Sequence, residues 1–167
     1  LVLSKPIGTG LALAAGTSAD KATAIAGMRR LNRSASETLQ SLGDAIHAVT
    51  DVTGYGLAGH GWEVAERSQV RVIVDTSGLV AYPGADAAAD AGVRTGGDPR
   101  NRDYLAGQLD STAAAGPEAL CFDPQTSGGL LAAVDPDAAA DLVGDGLVDQ
   151  WWRVGAIESG PPRLVLR

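Results

Sequence analysis

The fold is decided by the stretch TDVTGYGLAGH at residues 50–60, in which an acidic residue and three glycines separate two apolar segments. Before it, residues 45–49 have the composition of a β-strand, and after it residues 57–68 place apolar residues at helical spacing on one side. A second strand follows at once, because Val70–Val74 is rich in β-branched residues. The stretch therefore predicts a turn that leads from a strand into a helix.

Outside this turn the chain also mixes short strands and helices. Further strands are predicted at residues 1–3, 118–122, 129–134, 151–157 and 164–166. Further helices are predicted at residues 19–31, 34–42, 85–91 and 136–143. Residues 5–10 predict a glycine-rich turn that leads into residues 11–15, and residues 93–102 predict a loop. The helix at 19–31 places Ala22, Ile25, Met28 and Leu31 on one face, and Ser34 and Glu37 have the spacing of a capping box. The pattern predicts an α+β fold, a mixed β-sheet with helices packed on one face, in a single domain over residues 1–167.

Composition and charge exclude several functions. The net charge of −7 argues against binding to nucleic acid or to a membrane surface, because both partners are anionic. Cys121 is the only cysteine, so an internal disulfide is impossible, and we expect a reducing, cytoplasmic location. With His47 and His60 as the only histidines, a zinc site is not predicted. Cys121 alternates with apolar neighbours in a predicted strand, which is typical of a core residue rather than a nucleophile.

The turn at residues 50–60 is open to two functional interpretations. Gly54, Gly56 and Gly59 form a literal G-x-G-x-x-G, and Asp75 closes the next strand, as in a fold that binds NAD-type dinucleotides. Asp51 disfavours that interpretation, because a carboxylate about 4 Å from a pyrophosphate would cost roughly 4 kcal/mol at an effective dielectric near 20. A divalent cation removes the conflict, since Mg²⁺ prefers carboxylate and phosphate oxygens. The stretch thus favours a metal–phosphate site, with Asp51 as an ordinary helix cap as the simpler alternative.

Two further segments have the composition of ligand-binding loops. Residues 123–131 read DPQTSGGLL, and their small hydroxyl residues and paired glycines before a strand can form a donor-rich loop for phosphate. An ordinary turn explains this composition equally well. Residues 96–101 read GGDPRN and could present Arg100 to a phosphate, although most such loops are only solvated.

Together with KPIGTG at residues 5–10, these segments occur in the order found in selenophosphate synthetases (selenide, water dikinases). In that family the C-terminal domain begins with K-P-x-G-T-G and continues with T-D-V-T-G-[FY]-G-L-x-G-H, a G-G…R-N loop and D-P-Q-T-S-G-G-L-L. All four are present between Lys5 and Leu131, so the chain closely resembles this C-terminal domain. The fold is then expected to resemble that of aminoimidazole ribonucleotide synthetase-like enzymes.

The resemblance implies a reaction of ATP, selenide and water that gives selenophosphate, AMP and phosphate with Mg²⁺. Asp51 matches the metal-coordinating aspartate of the family's C-terminal domain. Other positions match motif residues at the phosphates or the interdomain cleft: Thr53, Gly54, Asn101, Gln125, Thr126 and Ser127. The resemblance also suggests a homodimer of the full-length protein, formed mainly through the N-terminal domain.

The nucleophilic Cys or selenocysteine, the catalytic Lys and the glycine-rich ATP loop of the family lie in the N-terminal domain, which residues 1–167 do not contain. No catalytic residue is therefore predicted here, and we expect the isolated chain, as part of a larger enzyme, to be inactive. Two alternatives remain open at this point. One is the NAD-type domain that would use Gly54, Gly56, Gly59 and Asp75, and the other is a non-catalytic dimerisation scaffold.

Overall fold

The computed structural model describes residues 1–143 and 150–167. The helices are α1 (Thr9–Ala15), α2 (Ser18–Arg29), α3 (Arg33–Ser41), α4 (Gly56–Ser68), α5 (Ala85–Asp90), α6 (Asp98–Tyr104), α7 (Ala115–Phe122) and α8 (Pro136–Val143). The strands are β1 (Val2–Leu3), β2 (Ile46–Asp51), β3 (Val70–Val74), β4 (Leu109–Ser111), β5 (Leu130–Val134), β6 (Trp152–Arg153), β7 (Gly155–Ser159) and β8 (Arg163–Leu166). The expected α+β class is confirmed.

Within the described residues the strands divide between two four-stranded sheets. The first has the order β2-β5-β1-β6 with antiparallel pairs throughout. The second has the order β4-β8-β3-β7 and is mixed, because β8 runs parallel to β3 and β4 while β7 runs antiparallel to β3. The sequence predicted one mixed sheet, and the division into two follows from long-range pairing that local patterns do not encode.

Helix α4 connects the two sheets, because it follows β2 of the first sheet and precedes β3 of the second. Its inner side contributes Leu57, Trp62 and Val64 to the main core, where Phe122 and Leu164 are also buried. Gly56 begins the helix at φ 70°, and a Cβ there would lie 2.6 Å from the backbone oxygen of Cys121. Only glycine fits both this conformation and this close approach.

The predicted strand at residues 118–122 is wrong, because these residues form the second half of α7. A short apolar run does not distinguish a strand from a buried helix, and here the helix is covered so well that Leu120, Cys121 and Phe122 are all buried. Cys121 is nevertheless a core residue, as expected. Its burial raises the pKa of the thiol to about 12, so it stays protonated at neutral pH.

The predicted loop at residues 93–102 contains the start of α6, which begins at Asp98. This seven-residue helix is too short to show a periodic apolar pattern. Arg102 fixes it through an ion pair with Asp98 at 2.8 Å, and a second ion pair joins Arg102 to Glu118 at 2.6 Å.

Two local details of the first helices also differ from the sequence prediction. The capping box lies at Thr17 and Asp20, where α2 begins, and not at residues 34–37, because α3 begins at Arg33 without a side-chain cap. In α2 the buried residue is Ala24, whereas Leu31 just after the helix is 74% exposed. The apolar spacing predicted the helix correctly but did not predict which of its sides is buried. No helix in residues 1–143 or 150–167 has the length and apolar character needed to cross a membrane.

Candidate functional site

The turn after β2 and the loop before β5 run side by side. The backbone N–H of Val52 donates to the Gly129 oxygen at 2.9 Å, which extends the pairing of β2 with β5 by one residue. Beyond it, the N–H of Gln125 donates to the Thr53 oxygen at 3.0 Å. The backbones touch at Gly128, where a Cβ would lie 2.2 Å from the Val52 oxygen. The second motif, residues 50–60, and the fourth motif, residues 123–131, are therefore packed directly against each other.

The fourth motif also caps the start of α1, which lies in the first motif, residues 5–10. Gln125 Oε1 accepts hydrogen bonds from the backbone N–H groups of Gly8 and Thr9 at 3.0 and 3.1 Å. Asp123 Oδ2 accepts from Gly10 and Leu11 at 2.9 and 3.2 Å. The first-turn amides of α1 are thus already satisfied by side chains, so this helix start has no free donors for a phosphate.

Asp123 is buried, and burial is the main reason why the pKa of its carboxyl group is raised. Hydrogen bonds from Leu11, Thr95, Gly10 and Gln125 stabilise the charged form and oppose this effect in part. The charge is therefore held inside the protein by several neutral donors rather than by an ion pair with any described residue.

The third motif, residues 96–101, contacts the same turn through Asn101, which is fully buried. Its Nδ2 donates to the backbone oxygens of Gly54 and Phe122 at 3.0 and 2.9 Å. Its Oδ1 is buried without a hydrogen-bond partner among the described residues. Asn101 therefore holds the turn at Gly54 against the end of α7, and the two side chains Asn101 and Gln125 support the site from inside.

Thr126 and Ser127 are the exposed part of the fourth motif. The Thr126 N–H donates to Thr9 Oγ1 at 3.1 Å, and Ser127 takes a left-handed conformation at φ 50°. Beneath them, the buried Lys5 donates through Nζ to the backbone oxygen of Ser127 at 2.9 Å and to that of Arg30 at 2.6 Å. The loop is thus fixed from below while both of its hydroxyl side chains are exposed.

Asp51 is exposed at the last position of β2, opposite Leu130 of β5. It forms no ion pair with any residue that the structure describes. Residues 1–143 and 150–167 contain no group of three or more His, Cys, Asp or Glu that could hold a metal ion. A lone exposed carboxylate fits Mg²⁺, which is commonly bound by one or two carboxylates together with water and substrate phosphates.

Sequence reasoning did not assign a role to His60, which is nearly buried at 7% exposure. Its Nδ1 lies 3.0 Å from Glu63 Oε2, and its Nε2 lies 3.1 Å from Thr53 Oγ1. The histidine thus connects a carboxylate on α4 to the hydroxyl of a candidate site residue. The i, i+3 spacing of His60 and Glu63 in a predicted helix was the available signal.

The structure does not support the NAD-type interpretation. A dinucleotide-binding βαβ unit needs both strands parallel in one sheet, whereas β2 and β3 belong to different sheets. Asp75 instead accepts hydrogen bonds from the N–H and hydroxyl of Ser77 at 3.2 and 2.7 Å. These bonds lower the pKa of Asp75, which acts as the cap of a short 3₁₀ turn.

A separate cavity of about 440 Å³ lies among β2, β5, β3 and β7, and it is lined mainly by apolar side chains. His47 and Asp135 line it and bind each other at 2.8 Å. None of the candidate site residues is among the described residues that line it.

The two sheets and the joined glycine-rich turns together define a distinct class of α+β domain. Residues 1–166 match the model of the family called AIR synthase related protein, C-terminal domain, and the chain belongs to that family. The resemblance to selenophosphate synthetases is also confirmed. The chain is 41% identical over 150 residues to a selenide, water dikinase of Pelobacter propionicus, covering 86% of this chain and 42% of the relative. It is 34% identical over 176 residues to that of Pseudomonas straminea, covering 98% and 48%. The chain therefore spans about half the length of these curated relatives.

Solved structures share the fold at low sequence identity. Thiamine monophosphate kinase from Aquifex aeolicus aligns with a TM-score of 0.64 and 10% identity, over 99% of this chain and 48% of that chain. The hydrogenase maturation protein HypE in complex with ATP aligns with a TM-score of 0.58 and 17% identity, over 99% and 46%. Both likenesses concern the fold alone.

Proposed function

We propose that this chain is the C-terminal domain of a selenide, water dikinase and supplies Asp51 as a Mg²⁺ ligand to an active site that a separate N-terminal domain completes. The single observation that supports this most directly is the position of Asp51, exposed at the end of β2 beside the loop of the fourth motif. The relatives named selenide, water dikinase, of which the chain spans about half, support the substrate assignment.

In this proposal the full-length enzyme converts ATP, selenide and water into selenophosphate, AMP and phosphate. Mg²⁺ at Asp51 would neutralise phosphate charge and orient the transferred group. Thr53, Gly54, Thr126 and Ser127 line the phosphate side of the cleft. Asn101 and Gln125, whose side chains are buried, keep the two loops in position.

Cys121, the only cysteine in the sequence, is buried and its pKa is raised, so it does not fit the role of the family's nucleophile. The isolated chain is therefore expected to bind part of the nucleotide complex without turning it over. We further propose that the full-length protein works in the cytoplasm, in selenium metabolism that leads to selenocysteine, and forms a homodimer through its N-terminal domain. A non-catalytic scaffold is the alternative that the experiment must separate from this function.

The decisive experiment is Asp51→Ala in the full-length protein, with selenide-dependent AMP formation and Mn²⁺ binding as readouts. We expect at least about a 100-fold loss of activity together with weaker Mn²⁺ binding, because a direct ligand should matter at least as much as a residue that supports one. Asp44→Ala is the matched control, since Asp44 is also an exposed aspartate but precedes the opposite end of β2. A scaffold would tolerate both substitutions equally, and a wild-type full-length protein without selenide-dependent turnover would overturn the proposal.

A further inference from the structure

Strand β2 forms one edge of the first sheet, and its outer side has no neighbouring strand among the described residues. With six residues it is the longest strand of that sheet, whereas β6 at the opposite edge has two. Proteins usually keep exposed edge strands short or protect them with lysine, proline or a bulge. The register of β2 shifts between Ile46 and Ala48, but the regular part from Ala48 to Asp51 contains neither lysine nor proline. This part of the edge is therefore open to pairing.

The pairing with β5 determines which backbone groups of β2 face the open edge. The N–H of Val52 donates to the Gly129 oxygen, in the same register as the strand before it. In an antiparallel ladder, successive residues alternate between facing the partner strand and facing away from it. Thr50 therefore faces β5 as Val52 does, and the N–H groups of Val49 and Asp51 point away from β5 towards the open edge.

The side chains of β2 also suit contact with another strand. Exposed residues alternate with half-buried ones along β2, and the exposed ones are His47, Val49 and Asp51. Val49 is 44% exposed, and it is the only large hydrophobic residue that is exposed on a strand within residues 1–143 and 150–167. An apolar side chain on a sheet is stabilised by a directly opposite side chain of the adjacent strand. Val49 has such a strand on one side only.

We propose that a strand from the N-terminal half of the enzyme pairs with the outer edge of β2 and brings one of its side chains next to Asp51. Unpaired groups along a strand edge are complementary to another extended backbone, which defines the chemistry of the partner. The chain spans about half the length of its curated relatives, which therefore contain further polypeptide that can supply this strand.

Such a strand would complete the surroundings of the candidate metal ligand. A residue paired with Asp51 would lie on the same side of the sheet, with its Cβ about 5 Å from that of Asp51. The inference rests on the proposed function for the existence of the N-terminal half, but its tests do not depend on catalysis.

Hydrogen exchange in the full-length protein, resolved at single residues by mass spectrometry, tests the pairing. The amides of Val49 and Asp51 should exchange at least about 100-fold more slowly than those of an unstructured peptide. Thr50 faces β5 and should be protected in any case, so it is the internal standard for an intact β2.

An outward-facing amide at another edge provides the comparison. Strand β4 is an edge of the second sheet, and the N–H of Thr112 just after it donates to the Leu166 oxygen of β8. By the same alternation, the N–H of the exposed Ser111 points away from β8. Ser111 should exchange within about tenfold of the unstructured rate. Val49 and Asp51 amides that exchange as fast as that of Ser111 would overturn the proposal.

Photocrosslinking identifies the strand that pairs with β2. In the full-length protein p-benzoylphenylalanine replaces Val49, and the crosslinked peptides are identified by mass spectrometry after irradiation. We expect adducts with peptides outside residues 1–167. Adducts with residues 46–51 of another molecule would show that two copies pair through β2, which would refute the proposed partner. The same probe at Val143, a similarly exposed valine at the end of α8, is the control and should not give the adducts found at position 49.

Val49→Lys tests the contact by substitution, because a lysine on an edge strand disfavours pairing with a further strand. We expect the protection of the Asp51 amide to fall at least about tenfold, while that of Thr50 is unchanged. Val143→Lys is the matched control and should change neither. An Asp51 amide that stays fully protected in Val49→Lys would contradict the proposed contact.

The outcome for the strand can be separated from the outcome for the proposed function. Protected Val49 and Asp51 amides in a full-length protein that forms no selenide-dependent AMP would refute the function and support the pairing. Selenide-dependent turnover together with unprotected amides would support the function and refute the pairing.

Discussion

Gln125 accepts a hydrogen bond from the backbone N–H of Gly8 at 3.0 Å, although 117 residues separate them in the sequence. The same oxygen accepts from Thr9, and Gln125 Nε2 donates to the Asp123 backbone oxygen at 2.7 Å. One buried amide therefore joins the first and last motifs of the chain. It does so by satisfying amides that the start of α1 would otherwise leave without partners.

Replacing Gln125 should destabilise the fold before it affects any chemistry. Gln125→Ala leaves the amides of Gly8 and Thr9 buried without an acceptor, and we expect a loss of about 2 kcal/mol in the free energy of unfolding. Urea denaturation measures this loss. Gln40→Ala on the exposed side of α3 is the control and should change stability by less than about 0.5 kcal/mol. Equal stabilities for the two variants would contradict the capping role of Gln125.

Asp123 should make the protein less stable as the pH rises through the acid range. Its pKa is raised above the ordinary value of 3.8, mainly by burial, so the folded state holds the proton more tightly than the unfolded state. The contribution to stability is therefore largest below 3.8 and is lost as the pH rises through the raised value. The difference in unfolding free energy between wild type and Asp123→Asn, measured by urea denaturation at successive pH values, should fall across that window. A difference that rises with pH would show that the hydrogen bonds outweigh burial.

Glycine substitutions should separate backbone strain from steric overlap. Gly56→Ala introduces both backbone strain, because φ is 70°, and steric overlap, because the new Cβ would lie 2.6 Å from the Cys121 oxygen. We therefore expect a loss of about 3 kcal/mol in the free energy of unfolding. Gly43→Ala meets only the strain, at φ 57° in open space, and should lose about 1 kcal/mol. Gly96→Ala meets neither and is the control. The order of the three denaturation midpoints checks the account, and similar losses at positions 43 and 56 would refute the contact with α7.

The sequence alone predicted the elements whose pattern is local and repeated. Helix α4 and strand β3 lie within a residue or so of their predicted bounds, because apolar spacing and β-branched residues act over a few neighbours. The location of Asp51 at a strand end could be predicted for the same reason. Helix α7 could not, since its buried run Leu120–Phe122 has no period that separates helix from strand.

Relationships across long distances in sequence were beyond such reasoning. The pairing of β3 with β8 places the end of the chain in the second sheet, and no residue pattern near either strand specifies it. The buried positions of Gln125 and Asn101 also depend on contacts with backbone that is distant in sequence. Composition therefore predicted that their segments are ligand-binding loops, whereas in the structure their side-chain amides hold the loops in position. The contact between His60 and Thr53 could not be predicted either, because the sequence does not contain the distance between the two side chains.

Substitutions of Ser127 can separate the effect of backbone strain from the effect of the side-chain hydroxyl. This exposed residue has φ 50°, which is unfavourable for a side chain with a Cβ. Ser127→Gly removes the hydroxyl and relieves the strain, so we expect a gain of about 1 kcal/mol in stability. Ser127→Ala removes the hydroxyl but keeps the strain, and its stability should stay within about 0.5 kcal/mol of wild type.

If the hydroxyl of Ser127 contacts nucleotide phosphate in the full-length enzyme, both variants should lose affinity for a non-hydrolysable ATP analogue equally, by up to about tenfold. Ser159→Ala, another exposed serine at the end of β7, should leave that affinity unchanged. A loss in Ser127→Gly but not in Ser127→Ala would mean that the fixed left-handed backbone, and not the hydroxyl, matters for binding. The phosphate contact would then have to come from the neighbouring Thr126 or from backbone N–H groups of the same loop.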